Sequence, residues 1–169
     1  MSKPFCLGMF DSGVGGLTVA HAIREHLPQI NMLYYGDTLH LPYGDKGPET
    51  LQTYSRTIGR YLLSRGADLL LIACNSASAY AYDTVRAIDL EKPTLDVIRP
   101  VVQHLGTNWP KGTIGVIGTR ATIRSGIYTQ LLQGQFPQIK VKALATPLLA
   151  PFAEEGIEDP QLRSAMVAH

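Results

Sequence analysis

Asp68-Leu69-Leu70-Leu71-Ile72-Ala73-Cys74-Asn75-Ser76 is the stretch on which the fold class turns. After Asp68, residues 69–74 form an unbroken apolar run, the pattern of a strand buried on both faces of a parallel sheet. Asn75 and Ser76 mark where the buried run stops, and a helix is predicted from there to about residue 88. Cys74 falls on the junction between the two.

The same strand-then-helix unit repeats outward in both directions. Upstream, residues 5–10 read as a first strand. A glycine-rich turn, Asp11-Ser12-Gly13-Val14-Gly15-Gly16, then leads into a helix over 17–27 that Pro28 closes. Residues 32–35 form a second strand. Proline and glycine in 39–48 exclude regular structure there, and Pro48 opens a long helix to about residue 65. Downstream, strands are predicted over 94–98, 113–117 and 141–145. A helix restarts at Pro100, another spans 121–132, and Asp159-Pro160 opens a last one with Asp as N-cap. Strands separated by helices indicate an α/β fold with a mainly parallel sheet. The stretch 98–109 marks a junction between domains spanning 1–98 and 99–169.

Composition narrows the function classes. The chain has 169 residues, 45% of them hydrophobic and 17% charged, with a net charge of +1. An average soluble domain is about 25% charged, so this is a globular composition rather than a disordered one. Fifteen basic residues against 14 acidic ones leave no electrostatic footprint for nucleic acid or a membrane surface. The apolar runs fall far short of the ~20 residues that a membrane helix needs. Residues 1–4 show no signal-peptide plan. The two cysteines, Cys6 and Cys74, are far apart, which suits a reducing compartment and a cytoplasmic protein.

In a parallel sheet, the carboxyl ends of the strands face one crevice, and ligands bind there. Those ends are Asp11-Ser12-Gly13, Gly36-Asp37-Thr38, Cys74-Asn75-Ser76 and Gly118-Thr119. Cys74 at a helix N-terminus feels the positive end of the macrodipole, which favours thiolate, a base and a nucleophile. Cys6 sits inside a strand and reads as a core residue. The glycine-rich turn leaves three readings open. It could bind a dinucleotide, with Asp37 as the downstream acidic residue. It could hold a small ligand, or it could be a tight turn needing glycine for positive φ. Thr18 stands where the fingerprint wants Gly or Ala, and Asp11 would repel a pyrophosphate but welcome an ammonium. His21, His26, His40, His104 and His169 show no metal spacing. His40 lies near Asp37 in a loop that could wall the crevice.

Several segments together resemble glutamate racemase: Phe10-Asp11-Ser12-Gly13-Val14-Gly15-Gly16-Leu17-Thr18-Val19, Tyr35-Gly36-Asp37-Thr38, Leu41-Pro42-Tyr43-Gly44-Asp45-Lys46, Ala73-Cys74-Asn75-Ser76-Ala77-Ser78, Ile117-Gly118-Thr119-Arg120-Ala121-Thr122 and Glu154-Glu155-Gly156. The resemblance implies two three-layer α/β domains with mainly parallel sheets, the second incomplete in this chain. It implies cofactor-independent interconversion of L- and D-glutamate for peptidoglycan synthesis, with no metal and with room for a homodimer. Two cysteines act there on opposite faces of the substrate, and Cys74 matches one of them. Asp11, Ser12, Tyr43, Gly44, Asn75 and Ser76 match substrate-binding positions, and Thr119 and Thr122 match the second-domain side. Ser76 replaces the family's usual threonine but keeps a hydroxyl.

One departure is large. The family's second cysteine lies in a Gly-Cys-Thr-His segment, and these 169 residues contain no such segment. The sequence therefore reads as the N-terminal part of a racemase that is inactive as a fragment. The alternatives are a related racemase of aspartate or another amino acid, and a non-catalytic small-ligand-binding domain.

Overall fold

The computed structural model describes residues 4–168; residues 1–3 and His169, with the readings placed on them, lie outside that range. Four strands, β1 (Cys6–Asp11), β2 (Asn31–Gly36), β3 (Leu69–Ile72) and β4 (Thr94–Asp96), form one sheet in the order β2-β1-β3-β4, with every pair parallel. The chain steps from β1 to β2 in one direction and then to β3 and β4 in the other. The sheet's topological switch point thus falls between β1 and β3, where ligands bind in folds of this kind.

Alternation along the strands gives the sheet two buried faces. Phe10, Leu70 and Ile72 face helices α2 (Pro48–Ser64) and α3 (Asn75–Arg86), packing with Leu51, Ile58, Leu62, Ala77, Ala81 and Val85. Leu7, Met9, Leu71 and Ala73 face α1 (Leu17–His26) through Val19, Ala20 and Ile23. This is the expected three-layer unit, and the apolar run at 69–72 is buried on both sides as its composition predicts.

Past α4 (Arg99–Asn108) the chain builds a separate parallel pair, β5 (Gly112–Gly118) with β6 (Ile139–Ala145). One face is covered: Ile98, Val102, Leu132 and Ile139 form a core with Ile114, Phe136 and Val141. Ile117 and Leu144, on the other face, stay exposed. The second unit is thus incomplete within the described residues, as expected.

Two local expectations need correction. The helix expected over 121–132 is two helices, α5 (Arg120–Ser125) and α6 (Ile127–Gln135). Gly126 between them takes φ +66, a left-handed conformation that ends α5 and that glycine tolerates best. The loop 39–48 is not wholly irregular, since Thr38–His40 and Tyr43–Asp45 each make a short 3-10 turn. A further helix, α7 (Leu149–Glu154), lies in a stretch where the sequence predicts no element, and Pro151 falls in its first turn. Proline is tolerated in a helix's first turn, where no N–H is needed. The last helix, α8 (Pro160–Ala168), starts as predicted: Asp159 Oδ1 accepts from the N–H groups of Gln161 and Leu162 at 2.8 and 2.9 Å. Among the described residues, no helix is long and apolar enough to cross a membrane.

Two core positions predict opposite responses. The Ser55 hydroxyl is buried on α2 without a hydrogen-bond partner, so Ser55→Ala should stabilise the chain by about 1 kcal/mol. A Cβ on Gly106 of α4 would lie 1.9 Å from the Phe136 ring, so Gly106→Ala should destabilise by about 1–3 kcal/mol through overpacking. Denaturant midpoints at unchanged m-value check both; two shifts of the same sign would contradict this packing account.

Candidate functional site

The switch point sets the site. Phe10 pairs with Ile72, and the Ala73 N–H donates to Phe10 O at 2.8 Å, so β1 and β3 end level. Asp11-Ser12 and Cys74 therefore leave the sheet side by side. Cys74 caps α3, its Sγ accepting from the Ala77 N–H at 3.5 Å. The thiol donates to Ser12 Oγ at 3.6 Å, and Ser12 Oγ in turn donates to Asp11 Oδ1 across a long 3.4 Å contact. Asp11 Oδ2 accepts from the Gly16 N–H at 2.8 Å. A thiol, a hydroxyl and a carboxylate thus form one chain at the floor of the crevice.

The carboxylate of Asp11 occupies the start of α1, where a pyrophosphate would have to sit, which disfavours the dinucleotide reading. The glycine explanation also changes. Gly13, Gly15 and Gly16 do not have positive φ. A Cβ on Gly16 would instead lie 2.7 Å from Asp11 Cβ and 3.0 Å from Ala73 Cβ. Close approach of the helix start to the strand ends is what demands glycine here.

Helix-start position alone predicts a thiol drawn toward thiolate, and the structure corrects this. Burial pushes the Cys74 pKa up from 9.0 to about 11, and the Asp11 charge adds to the rise. The Ala77 N–H and Ser12 pull the other way but do not win. Tyr34 is pushed up to about 12 by its own burial and by the negative charges of Asp11 and Cys74, and its hydroxyl donates to Gly13 O at 3.0 Å.

The opposite wall comes from the second unit. Thr119 caps α5, its Oγ1 accepting from the Thr122 N–H at 3.2 Å. Ser76 Oγ lies 2.8 Å from Thr119 Oγ1 and 3.5 Å from Thr122 Oγ1, so the two helix starts meet through hydroxyls. Asn75 Oδ1 accepts from the Tyr128 hydroxyl at 2.8 Å. The Tyr43–Asp45 turn forms the side wall. A Cβ on Gly44 would lie 2.8 Å from Thr119 Cβ, so glycine lets the turn press on α5. Arg120 Nη1 donates to Asp45 Oδ1 at 3.0 Å across the mouth.

Asp11, Ser12, Tyr43, Gly44, Cys74, Asn75 and Ser76 all line one cavity of about 360 Å³, joined by Thr119. That is at the small end for ligand pockets, the size for a small metabolite. Sequence reasoning did not single out Arg120 or Glu154 as site residues, yet both line this cavity. Glu154 ends α7. Cys6 lies at the far end of β1, buried, with its N–H on Asp68 Oδ2 at 2.9 Å. His40 does not line the cavity; it is bound to Asp37 and stacks on Tyr54. His21 and His26 are exposed on α1, as expected.

The chain as a whole is similar to known proteins. The family model for Asp/Glu/Hydantoin racemase matches residues 18–167. A glutamate racemase of Geobacter metallireducens is 44% identical over 153 residues, 90% of this chain and 56% of that protein. One from Aquifex aeolicus is 40% identical over 163 residues, 96% of this chain and 63% of that protein. Among solved structures, glutamate racemase from Campylobacter jejuni superposes with a TM-score of 0.89 at 39% identity, covering 98% of this chain and 66% of that one. The Francisella tularensis glutamate racemase, solved in complex with D-glutamate, gives 0.90 at 33% identity, covering 96% of this chain and 60% of that one. The chain spans a little over half of the length of these curated relatives.

The electrostatics make a direct prediction. Alkylation of Cys74, separated from Cys6 by peptide mass spectrometry, should rise with pH to a midpoint near 11. Asp11→Asn should lower that midpoint, and an unmoved one would leave Asp11 no part in holding the proton. The thiol's folded pKa lies above its ordinary value. Its stabilising contribution is therefore complete below pH 9 and is lost as pH rises toward 11. Cys74→Ala should flatten that alkaline loss of stability.

Proposed function

The chain belongs to the Asp/Glu/Hydantoin racemase family, and on that premise we propose that it carries the first-thiol side of a glutamate racemase. The observation that carries the reading is the line from Cys74 Sγ through Ser12 Oγ to the Asp11 carboxylate, at the floor of a small crevice. The division into 1–98 and 99–169 belongs to the same proposal, supported by one sheet ending at Asp96 and another starting at Gly112.

The α-proton of an amino acid is very weakly acidic, so the site has to supply a strong base at the right moment. On its own Cys74 holds its proton, because burial and Asp11 both oppose a second negative charge. An amino-acid ammonium beside Asp11 reverses the second effect. It neutralises the carboxylate and adds positive charge near sulfur, both of which favour thiolate. The thiol proton leaves to solvent through the crevice mouth, and the Ser12 hydroxyl, 3.6 Å from sulfur, is placed to donate to the thiolate that remains. The Cys74 thiolate then takes the α-proton from one face. Backbone N–H groups at the starts of α3 and α5 are the donors available to stabilise the charge that develops on the carboxylate.

Inversion needs a proton delivered to the other face, and Cys74 is the one cysteine lining this crevice. These 169 residues alone are therefore expected to form no D-glutamate, and the second acid is expected from sequence beyond them. The two unpaired cysteines support placing the protein in the cytoplasm. A related racemase acting on aspartate is the second reading, favoured by the breadth of the matched family.

The test uses the protein expressed from its natural reading frame, incubated in deuterated water with each enantiomer of glutamate and of aspartate. Expected are inversion of glutamate with α-deuterium uptake, little turnover of aspartate, and a loss of ~10²–10⁴-fold in Cys74→Ser. Full activity in Cys74→Ser would overturn the proposal, and preferred turnover of aspartate would move it to the second reading. Formation of D-glutamate by the 169 residues alone would contradict the need for a second acid.

A further inference from the structure

We propose that Asp37 is a positioning residue that fixes the Tyr43–Gly44 wall of the crevice, an inference that rests on the racemase reading. Asp37 follows β2, is only 4% exposed, and does not line the cavity. Its carboxylate is nonetheless fully engaged. The Tyr43 hydroxyl donates to Oδ2 at 2.5 Å, and His40 Nδ1 lies 2.7 Å from Oδ1 and 2.9 Å from Oδ2. The His40 ring stacks on Tyr54 at 4.2 Å between centroids, which holds the imidazole in place. Through its backbone, the Asp37 N–H donates to Asp11 O at 2.9 Å, and Asp37 O accepts from the His40 N–H at 3.3 Å. One residue thus ties the whole 38–45 segment to the strand end that carries Asp11.

A buried carboxylate is costly unless its oxygens are satisfied, and here both are satisfied by side chains of the segment that walls the crevice. Tyr43 is itself 1% exposed. Burial and the bond to Asp37 push its phenol far above the usual tyrosine range, so it stays a donor. With Tyr43 anchored from behind, Gly44 meets Thr119 and Asp45 meets Arg120 on the far side. The anchor therefore sets the spacing between the wall and the second unit. Such a group acts on how well a substrate fits, and leaves the Cys74–Ser12–Asp11 line alone.

Kinetics in the protein expressed from its natural reading frame separate this role from a general loss of structure. Asp37→Asn and Tyr43→Phe are each expected to raise KM for glutamate about tenfold, the scale of one charge-assisted hydrogen bond, with kcat within about threefold. The double variant is expected to be no worse than the worse single, because Asp37→Asn weakens and Tyr43→Phe removes the same bond. Unchanged KM with reduced kcat, or multiplied effects in the double variant, would overturn the proposal. If Asp37→Asn does not fold, Tyr43→Phe alone carries the KM test. If the wild-type protein fails to turn over glutamate, the racemase reading fails separately. The anchor is then read from Cys74 alkylation at fixed pH: several-fold acceleration in both variants supports it, and wild-type rates overturn it.

Discussion

The parallel pairing of β1 with β3 is the contact on which the rest depends. Phe10 against Ile72, with the Ala73 N–H on Phe10 O, makes two strands far apart in sequence end at the same level. A slip of one residue would turn every side chain to the other face. Phe10 and Ile72 would then leave the α2–α3 core, and Cys74 would no longer meet Ser12. The two apolar faces specify that register, so chemistry at the strand ends inherits its geometry from core packing. The walls are then added by contacts that need small residues: Gly16 under Asp11 and Gly44 against Thr119.

Electrostatically, burial and the Asp11 charge keep Cys74 neutral. Asp11 is held by the Gly16 N–H at the head of α1, and burial keeps water from screening it. Arg120 is the cation among the lining side chains, and it is already paired with Asp45. Asp11 and Glu154 therefore favour a ligand with a cationic group, while the starts of α3 and α5 favour a carboxylate. A zwitterion satisfies both.

The strand-helix alternation, the buried run at 69–72 and the convergence of Asp11, Ser12 and Cys74 were legible because they rest on local periodicity and on where parallel strands end. Gly126 was misread because an isolated glycine inside an apolar helical pattern does not reveal its φ from sequence. No element was expected at α7, since six residues are too few to show a helical period and Pro151 gives no sign of falling in a first turn until the preceding residues are placed. The state of Cys74 was illegible for another reason. The helix start is written in the sequence, but the degree of burial and the distance to Asp11 belong to tertiary structure, and they outweigh it. Asp37 was visible as a strand-end acidic residue in a racemase-like segment, but its hold on the wall was not, because the phenol and imidazole that claim it come from a loop without a predictable path.

All four strands of the first sheet lie within residues 6–96, whereas Thr119, Arg120 and Glu154 come later in the chain. Synthesis runs at about 5–20 residues per second, and domains fold as units, the N-terminal one first. A chain that folds as it is made would therefore have its thiol wall in place seconds before the wall that covers it. During that interval Cys74 would stand at an open strand end, and oxidants or electrophiles could reach it. Newly made copies would be the vulnerable ones, and completion of the second wall would give the thiol its shelter.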